Sequence, residues 1–231
     1  MKGSKIVFTD IDGTLLEGFI TLDLVNYLYF EGFFDSCQYQ KQLELMNLFK
    51  SGKMSFLDWL EKWASVWGKG IKNKSQFVLN QKAKTFFKSY NKIYPSSKKL
   101  VKYFHDKGYL VIGISAGVIE ADNLIKDYLS LDEIISSKVS VKNGVYTGQV
   151  TTKLHKKNGK KNYILSYSKK NKIDLLKCIG IGDSILDVSF IDLMGTKLAL
   201  NFNKTFVSEI LKKEYFISNH NSILKDIKKI I

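Results

Sequence analysis

Short apolar runs alternate with helical stretches along most of the chain. The runs KIVFTDI near the start, YLVIGIS from Tyr109 and KCIGIG from Lys177 are apolar at almost every position, which is typical of strands buried on both faces. Two shorter runs, KLALNF and YFIS, predict further strands toward the end. Because these strands alternate with helices, the pattern predicts an α/β protein with a parallel sheet between two helical layers.

The helices predicted between the later strands show helical periodicity and glycine stops. After Pro95 we expect them at SSKKLVKYFHDKG, VIEADNLIKDYLS, KKNYILSYSKKN, DVSFIDLMG and FVSEILKKE. Two alternating runs flank Asn143 and Gly144 in the segment SSKVSVKNGVYTGQVTTK. Asn-Gly is a preferred pair in two-residue hairpin turns, so this segment predicts a β-hairpin.

Residues 18–93 have a different character, with helical periodicity and no strand-like run. Four helices are predicted there, at TLDLVNYLYFEG, QYQKQLELMNLFKSG, SFLDWLEKWASVWGKG and SQFVLNQKAKTFFKSYNK. We therefore expect an α/β core formed by residues 1–17 and 94–231, interrupted after its first strand by an all-helical cap formed by residues 18–93.

One helix of the cap carries a stripe of tryptophans, Trp59, Trp63 and Trp67, repeating every four residues. Such spacing places all three indoles on one face of the helix. That face is either the core of the cap or an aromatic wall that closes over an apolar substrate, and the sequence leaves both interpretations open.

Length and composition are those of an ordinary globular protein. The 231 residues suffice for one large domain or for a medium domain with an insert. The two cysteines, Cys37 and Cys178, lie far apart, which suggests a reducing compartment without a disulfide framework. No run approaches the roughly 18 apolar residues of a membrane span, and the first residues do not resemble a signal peptide. We therefore expect a cytoplasmic protein with no membrane partner.

The net charge of +14 raises the possibility of nucleic-acid binding, but the residue types argue against it. All 36 basic residues are lysine, whereas recognition of phosphates and base edges relies on the two-pronged guanidinium of arginine. The lysines are spread along the chain and are densest in LHKKNGKKN and SYSKKNK. A solvated basic face is the simpler interpretation, and a polyanion-binding surface is the alternative.

Polar residues follow three of the predicted strands where those strands end. Asp10 and Asp12 follow the first strand, Ser115 ends the second, and Asp183 follows the run KCIGIG. The carboxyl ends of parallel strands meet at one edge of a sheet, where ligands bind in open α/β folds. Residues i and i+2 of an extended chain point to the same side, so Asp10 and Asp12 need a proton or a cation between them. Oxygen-rich clusters of this kind suit Mg²⁺.

The same residues fall into four motifs that resemble the haloacid dehalogenase superfamily of phosphatases, on the branch that includes phosphoserine phosphatase. The motifs are DIDGT at residues 10–14, the strand-ending serine of GISAG, a lysine in GKKNYIL and GDSILD at residues 182–187. The hairpin sequence NGVYTG is also typical of this branch. The resemblance implies a Rossmann-like three-layer core with an inserted helical cap.

The resemblance also implies a role for each motif residue. Asp10 would be the nucleophile that forms an aspartyl-phosphate, and Asp12 would protonate the leaving alcohol and then activate water. Mg²⁺ would be bound by Asp10, by Asp183 and by the backbone carbonyl of Asp12. The phosphate-binding residues would be Thr14, Ser115, Ala116 and a lysine, with Ser184 and Asp187 in supporting positions.

Two neighbouring lysines, Lys160 and Lys161, compete for the lysine position. In the family the lysine precedes an apolar pair three and four residues later. Lys161 is followed at those positions by Ile164 and Leu165, whereas Lys160 is followed by Tyr163 and Ile164. Successive residues of a helix point about 100° apart, so only one lysine can face the site, and we expect Lys161.

The sequence therefore predicts a Mg²⁺-dependent phosphatase that hydrolyses a small-molecule phosphomonoester. A phosphotransferase using the same intermediate, and a non-catalytic polyanion-binding protein on the same fold, remain alternatives. Phosphoserine phosphatases are understood to hold the substrate carboxylate with a cap arginine, which this chain lacks, so we expect phosphoserine to be a poor substrate. The oligomeric state is left open.

Overall fold

A computed structural model of the chain describes residues 5–202, residue 210 and residues 214–231. The helix predicted at FVSEILKKE lies outside the described residues except for Ile210 and Glu214. All statements below about the structure concern the described residues.

Eight strands form two sheets in the described part of the chain. In chain order they are β1 (Lys5–Thr9), β2 (Tyr109–Val118), β3 (Glu133–Ser137), β4 (Val139–Lys142), β5 (Val145–Val150), β6 (Ile179–Gly182), β7 (Thr196–Leu200) and β8 (Phe216–Ser218). Six of them form one sheet in the order β3-β2-β1-β6-β7-β8, and every pairing in it is parallel. The strands β4 and β5 form the predicted antiparallel hairpin around Asn143 and Gly144.

Nine α-helices and two short 3₁₀ helices, at Leu175–Lys177 and Ile227–Lys229, are present in the described residues. In chain order the α-helices are α1 (Ile20–Phe30), α2 (Ser36–Lys50), α3 (Phe56–Gly70), α4 (Gln76–Phe87), α5 (Pro95–Asp106), α6 (Ile119–Leu129), α7 (Gly159–Asn171), α8 (Ile185–Ile191) and α9 (Ile223–Asp226). None of these helices has both the length and the apolar composition that crossing a bilayer requires.

The central strand shows why the sheet has helices on both faces. Val7 belongs to the larger apolar cluster, whereas its neighbours Ile6 and Phe8 belong to a second cluster on the other side of the sheet. The first cluster is covered by α5, α6 and α9, and the second by α7 and α8. Side chains alternate across a strand, so an uninterrupted apolar run supplies both layers of core. The predicted three-layer α/β architecture is confirmed.

Helices α1 to α4 follow β1 and precede α5, in the part of the chain assigned to the cap. The two connections to this segment lie side by side, because Glu17 N–H donates to the carbonyl of Lys92 at 2.8 Å and Tyr94 N–H donates to that of Leu15 at 3.2 Å. This adjacency is what an inserted unit requires. The division at residues 17/18 and 93/94 itself stays a prediction.

Two elements were not predicted from the sequence. Strand β3 pairs in parallel with β2, with Ile114 beside Ile135, and forms one edge of the sheet. Its apolar part is only Ile134 and Ile135, too short to indicate a strand without its partner. Helix α9 is a single turn near the end of the chain, and helices of this length carry little periodicity.

Helix α3 packs closely against strand β5 at a pair of glycines. A Cβ atom on Gly68 would lie 2.4 Å from the carbonyl oxygen of Gly148, which is closer than such atoms can approach. The absence of a side chain at Gly68 therefore lets a cap helix contact the hairpin of the core.

We expect Gly68→Ala to lower the free energy of unfolding by at least about 1 kcal/mol, although alanine is the better helix former, because overpacking a close contact outweighs that gain. Urea unfolding followed by circular dichroism measures the change. Lys69→Ala, at the next and exposed position of α3, is the control and should shift stability by less than about 0.5 kcal/mol. Unchanged stability of Gly68→Ala would contradict the close contact between α3 and β5.

Candidate active site

The acidic site begins where β1 ends. Asp10 N–H donates to the carbonyl of Ile181 at 2.9 Å, so the pairing of β1 with β6 continues up to the first carboxylate. Gly13 then adopts a φ of +85°, and a Cβ at this position would lie 2.4 Å from Asp183 Oδ2. Glycine is required here for both reasons, since it allows the positive φ and the approach of the loop after β6.

Three carboxylates meet at this point. Asp10, Asp183 and Asp187 each offer an oxygen, and these oxygens all lie within 4.8 Å of one another. Asp10 and Asp187 are buried and Asp183 is partly exposed. Thr14 Oγ1 donates to Asp183 Oδ1 at 2.8 Å and lies 3.3 Å from Asp10 Oδ2, so it ties two of them together.

A buried lysine from α7 partly neutralises this cluster. Lys160 Nζ donates to Asp10 Oδ1 at 2.5 Å and to Asp187 Oδ1 at 2.6 Å. We expected Lys161 to face this cluster, but Lys160 contacts the carboxylates instead.

The buried face of α7 explains why Lys160, and not Lys161, points toward the carboxylates. Its buried positions include Lys160, Ile164 and Ser168, which recur every four residues and define one face, whereas Tyr163 and Leu165 are exposed. The apolar Leu165 therefore points to solvent and does not mark the buried face. Packing against the acidic cluster and the ring of Phe190, not local hydrophobicity, selects the lysine that faces inward.

Asp187 is fully buried and is held from two directions. Besides accepting from Lys160, it accepts hydrogen bonds at Oδ2 from Ser184 N–H at 3.1 Å and from Ser184 Oγ at 2.6 Å. A Cβ on Gly182 would lie 2.6 Å from Asp187 Cβ, so glycine at the end of β6 leaves room for this side chain. Ser184 and Asp187 thus form the support that orients Lys160.

Ser115 lies on the neighbouring strand β2 and is almost fully buried. Its Oγ accepts a hydrogen bond from Gly117 N–H at 2.8 Å, and both Ser115 and Ala116 line the cavity in front of Asp10. A Cβ on Gly117 would lie 2.9 Å from Ser115 Oγ and from Thr21 Oγ1. Glycine at this position therefore allows the backbone after Ser115 to fold back over the serine hydroxyl.

Asp12 faces away from the three-carboxylate cluster. Its Oδ1 accepts from the N–H of Ile20 at 2.8 Å, at the first turn of α1. The orphan N–H groups and the dipole of a helix N-terminus favour an acceptor in this position. Asp12 consequently lines the cavity while contacting the cap.

Burial dominates the protonation behaviour of the site. Desolvation, with Asp187 as second cause, raises the pKa of Asp10 to about 6 against the opposing effect of Lys160. Desolvation and the charge of Asp10 raise the pKa of Asp183 to about 8. The pKa of Asp12 also lies well above its usual range, because of burial first and Asp122 and Asp10 next. Nearby carboxylates raise the pKa of Lys160 despite its burial.

The donor set fits a hard divalent cation. When ionised, three carboxylates facing one ammonium leave two excess negative charges, and all the nearby ligand atoms are oxygens. The cluster could therefore hold a metal ion through Asp10 and Asp183, with Asp187 close behind them. A cation there would remove the repulsion that raises the pKa values of these carboxyl groups.

A group of buried polar residues behind Ser115 was not predicted from the sequence. Asp122 is fully buried on α6 and accepts from Ser136 Oγ at 2.7 Å, and Glu120 accepts from the hydroxyl of Tyr146 at 2.7 Å. Burial, opposed by hydrogen bonds from Ser136 and Ser115, raises the pKa of Asp122 to about 7. Buried acids inside a helical pattern resemble exposed ones in sequence, so only the packing distinguishes them.

The carboxylates open onto a cavity of about 170 Å³ between core and cap. Its core side is formed by residues of the motifs, among them Asp10, Asp12, Ser115, Lys160 and Asp183. Its cap side includes Phe19, Leu22, Phe56, Trp59, Leu60 and Trp63. The cavity therefore joins a charged end to an apolar end.

Two of the three striped tryptophans belong to this wall. Trp59 and Trp63 line the cavity and are also almost fully buried in the cap, whereas Trp67 stacks on Phe34 with ring centroids 5.9 Å apart. The stripe thus contributes both to the cavity wall and to the core of the cap, because the helix passes from one to the other; that the wall closes over an apolar substrate stays a prediction.

One protein family matches most of the chain. A family model described as haloacid dehalogenase-like hydrolase matches residues 7–192. A phosphoserine phosphatase of Methanocaldococcus jannaschii is 30% identical over 135 residues, covering 58% of this chain and 62% of that protein. A phosphoserine phosphatase of Lactococcus lactis is 28% identical over 100 residues, covering 43% of this chain and 46% of that protein. The matches span less than two thirds of either relative.

Solved structures share the fold over almost the whole chain. A phospho-aspartyl intermediate analogue of phosphoserine phosphatase is 24% identical, covers both chains completely and superposes with a TM-score of 0.68. A protein of unknown function from Bordetella pertussis is 15% identical, with 94% and 99% coverage and a TM-score of 0.80. At these identities the likeness shows a common fold.

The raised pKa values predict how stability depends on pH. The folded protein keeps protons on Asp10 and Asp183 up to about 6 and about 8, whereas the unfolded chain loses them near 3.8. The folded state therefore binds more protons over this interval, so the free energy of unfolding of metal-free protein should fall as pH rises through it. Mg²⁺ needs ionised ligands, so its stabilising effect should grow over the same range.

Urea unfolding between about pH 5 and 8.5, in chelator or in excess Mg²⁺, tests this prediction. Asp183→Asn should flatten the pH slope and reduce the effect of Mg²⁺, whereas Asp127→Asn, an exposed acid on α6, should change neither. Metal-free stability that rises steadily with pH would contradict the assignment of raised pKa values.

Proposed function

Because the chain belongs to the haloacid dehalogenase-like hydrolase family, we propose that it is a Mg²⁺-dependent phosphatase that hydrolyses a small-molecule phosphomonoester. Its membership confirms the resemblance inferred from the four motifs. One observation carries the proposal: a buried carboxylate, Asp10, is fixed by Lys160 and Thr14 at the charged end of a cavity.

Asp10 is suited to act as the nucleophile. Lys160 and Thr14 hold its two carboxylate oxygens in place, and the ion pair with Lys160 favours the ionised form despite burial. In the first step an oxygen of Asp10 attacks phosphorus, the new O–P bond forms, and the bond from phosphorus to the substrate alcohol breaks. The product is an aspartyl-phosphate, which splits one difficult displacement into two easier ones.

Asp12 is suited to be the general acid and base. Burial raises the pKa of Asp12 well above its usual range, which favours the protonated form that can give its proton to the departing alkoxide. In the second step the ionised Asp12 takes a proton from water as the water oxygen attacks phosphorus. The Asp10–phosphate bond then breaks, which releases inorganic phosphate and restores both carboxyl groups.

The transferred phosphoryl group would be held by residues on two elements. Ser115 Oγ and the N–H of Ala116 come from β2, and Lys160 comes from α7. Thr14, from the loop after β1, is fully buried and would act through the carboxylates of Asp10 and Asp183 that it contacts. A bound Mg²⁺, held by Asp10, Asp183 and the Asp12 carbonyl, would supply positive charge that offsets the phosphoryl oxygens. Positioning and charge neutralisation account for most of the rate in phosphoryl transfer.

The contact between Asp12 and α1 links the chemistry to the cap. Because the N–H of Ile20 donates to Asp12, the orientation of the acid depends on where the cap begins. A well-placed cap then excludes water during formation of the aspartyl-phosphate and admits it afterwards. The relatives named phosphoserine phosphatase are consistent with this class of reaction.

A decisive experiment is release of inorganic phosphate from a panel of small phosphomonoesters, with and without Mg²⁺. Turnover that needs Mg²⁺ supports the proposal. Formation of a new phosphoester in the presence of added alcohols would favour a phosphotransferase. Complete absence of turnover would favour a non-catalytic polyanion-binding protein.

We predict that Asp10→Asn lowers kcat by at least about a thousandfold, because it removes the proposed nucleophile while the neighbouring carboxylates have other proposed roles. Asp127→Asn, which alters an exposed acid of the same type, is the control and should keep full activity. Phosphate release under saturating substrate measures the effect. Retention of a few per cent of activity would show that another residue is the nucleophile.

The two neighbouring lysines provide a second matched test. Lys160→Ala should lower kcat/KM by at least about a hundredfold, because it removes the cation between Asp10 and Asp187. Lys161→Ala should change kcat/KM by less than about threefold, since surface substitutions outside the site have small effects. Circular dichroism establishes that both variants fold. The reverse order of effects would overturn the placement of α7 against the carboxylates.

A further inference from the structure

The apolar end of the cavity is a continuous aromatic surface contributed by the cap. Phe19 and Phe56 lie with ring centroids 6.0 Å apart, and Trp59 lies 5.8 Å from the first and 5.5 Å from the second. Trp63 continues the surface at 6.4 Å from Trp59. Rings at these distances pack as in a protein core, yet all four side chains also line the cavity.

Further apolar side chains complete this end, and the one polar group of Trp63 is already used. Leu22, Leu60, Leu154 and Leu186 line the same cavity. The indole N–H of Trp63 donates to Gln42 Oε1 at 3.3 Å, inside the cap. The indole N–H of Trp59 is buried without a hydrogen-bond partner among the described residues, so it is the one unused side-chain donor of this aromatic surface. A substrate body placed here otherwise meets mainly carbon, and burying a charged group there would carry a desolvation cost.

The charged residues of the cavity are committed to other partners. Among the described lining residues the cations are Lys156 and Lys160; Lys160 binds Asp10 and Asp187, and Lys156 forms an ion pair at 2.7 Å with Glu61 of α3. The lining acids are the proposed reaction residues Asp10, Asp12 and Asp183. A zwitterionic substrate body would have to share Lys156 with Glu61, whose charge would repel the substrate carboxylate, and no described lining acid outside the reaction residues would face its ammonium group.

The size of the cavity limits the size of the occupant. Its volume is about 170 Å³. An engineered apolar cavity of about 150 Å³ in another protein is large enough to bind benzene. Since the phosphoryl group occupies the charged end, the enclosed part of the substrate body is limited to one ring at most.

We propose that the substrate is the phosphate monoester of an uncharged alcohol whose body is a single aromatic ring or a compact branched hydrocarbon. This inference rests on the proposed phosphatase function, and it assigns Phe19, Phe56, Trp59 and Trp63 as the residues that determine specificity. The ion pair between Lys156 and Glu61, at the rim of the cavity, disfavours substrates with a charged body.

The test compares esters of primary alcohols, so that the departing groups have similar reactivity. Benzyl phosphate and isobutyl phosphate represent the proposed class, and phosphoserine and phosphoethanolamine represent charged bodies. With Mg²⁺ present, kcat/KM for benzyl phosphate should exceed that for phosphoserine by at least about tenfold, since a buried mismatch of this kind costs a factor of ten or more.

A substitution in the aromatic surface tests whether that surface causes the preference for benzyl phosphate over phosphoserine. Phe19→Ser should reduce the ratio of kcat/KM for benzyl phosphate over phosphoserine by at least about fivefold, because it removes apolar contact area. Phe19 occupies the N-cap position of α1, where serine is favoured, so this variant should fold. Phe77→Ser, an exposed aromatic of the cap, is the matched control and should leave the ratio unchanged.

A second variant tests the rim without touching the aromatic wall. Glu61→Gln frees Lys156 from its ion pair, so kcat/KM for phosphoserine should rise severalfold while that for benzyl phosphate stays the same. An unchanged value for phosphoserine would overturn the role given to the pair.

The outcomes separate this inference from the proposed function. If phosphoserine or phosphoethanolamine is the best substrate, the inference is wrong although the protein is a phosphatase. If no ester is turned over, calorimetric binding to Asp10→Asn decides: preferential binding of benzyl phosphate supports the ligand class while the phosphatase proposal fails. Equal or stronger binding of phosphoserine overturns the inference.

Discussion

Three carboxylates, Asp10, Asp183 and Asp187, bring oxygens within 4.8 Å of one another at the carboxyl edge of the parallel sheet, where their charges repel. Burial increases this repulsion because little solvent remains to screen it. The surrounding structure offsets it with the ammonium of Lys160 and the hydroxyl of Thr14. The remaining negative charge favours protons or a divalent cation. Burial first, and the neighbouring carboxylates second, raise the pKa values of Asp10 and Asp183, and the contacts that offset this repulsion also hold Asp10 in place.

The same constraint explains the glycines around the site. Gly13 and Gly182 lie where a side chain would collide with Asp183 or Asp187, so each marks a place where a carboxylate approaches the backbone closely. Because these two positions have no side chain, the ends of β1 and β6 can lie closer to the carboxylates. The loops after β1 and β6 can then meet in front of the sheet.

The cap contributes a hydrogen bond to Asp12 and the apolar side of the cavity. Asp12 leaves the acidic cluster and accepts a hydrogen bond from the first turn of α1, so the element that covers the cavity also orients the proposed acid. The aromatic surface from α1 and α3 completes the cavity opposite the charges. Although the chain is strongly basic, both lysines at the cavity are in ion pairs, so its net charge says little about this site.

The sequence by itself determined the layer architecture and the positions of the acidic residues at strand ends, because uninterrupted apolar runs and the residues that follow them are local features. The Asn143–Gly144 hairpin was predictable for the same reason. The tertiary structure alone decided that Lys160 and not Lys161 faces the carboxylates, that β3 joins the edge of β2, and that Trp59 and Trp63 line the cavity while Trp67 packs inside the cap. Each of these depends on partners distant in sequence: helical spacing establishes which residues share a face, but the charges and side chains packed against the helix decide which face is buried.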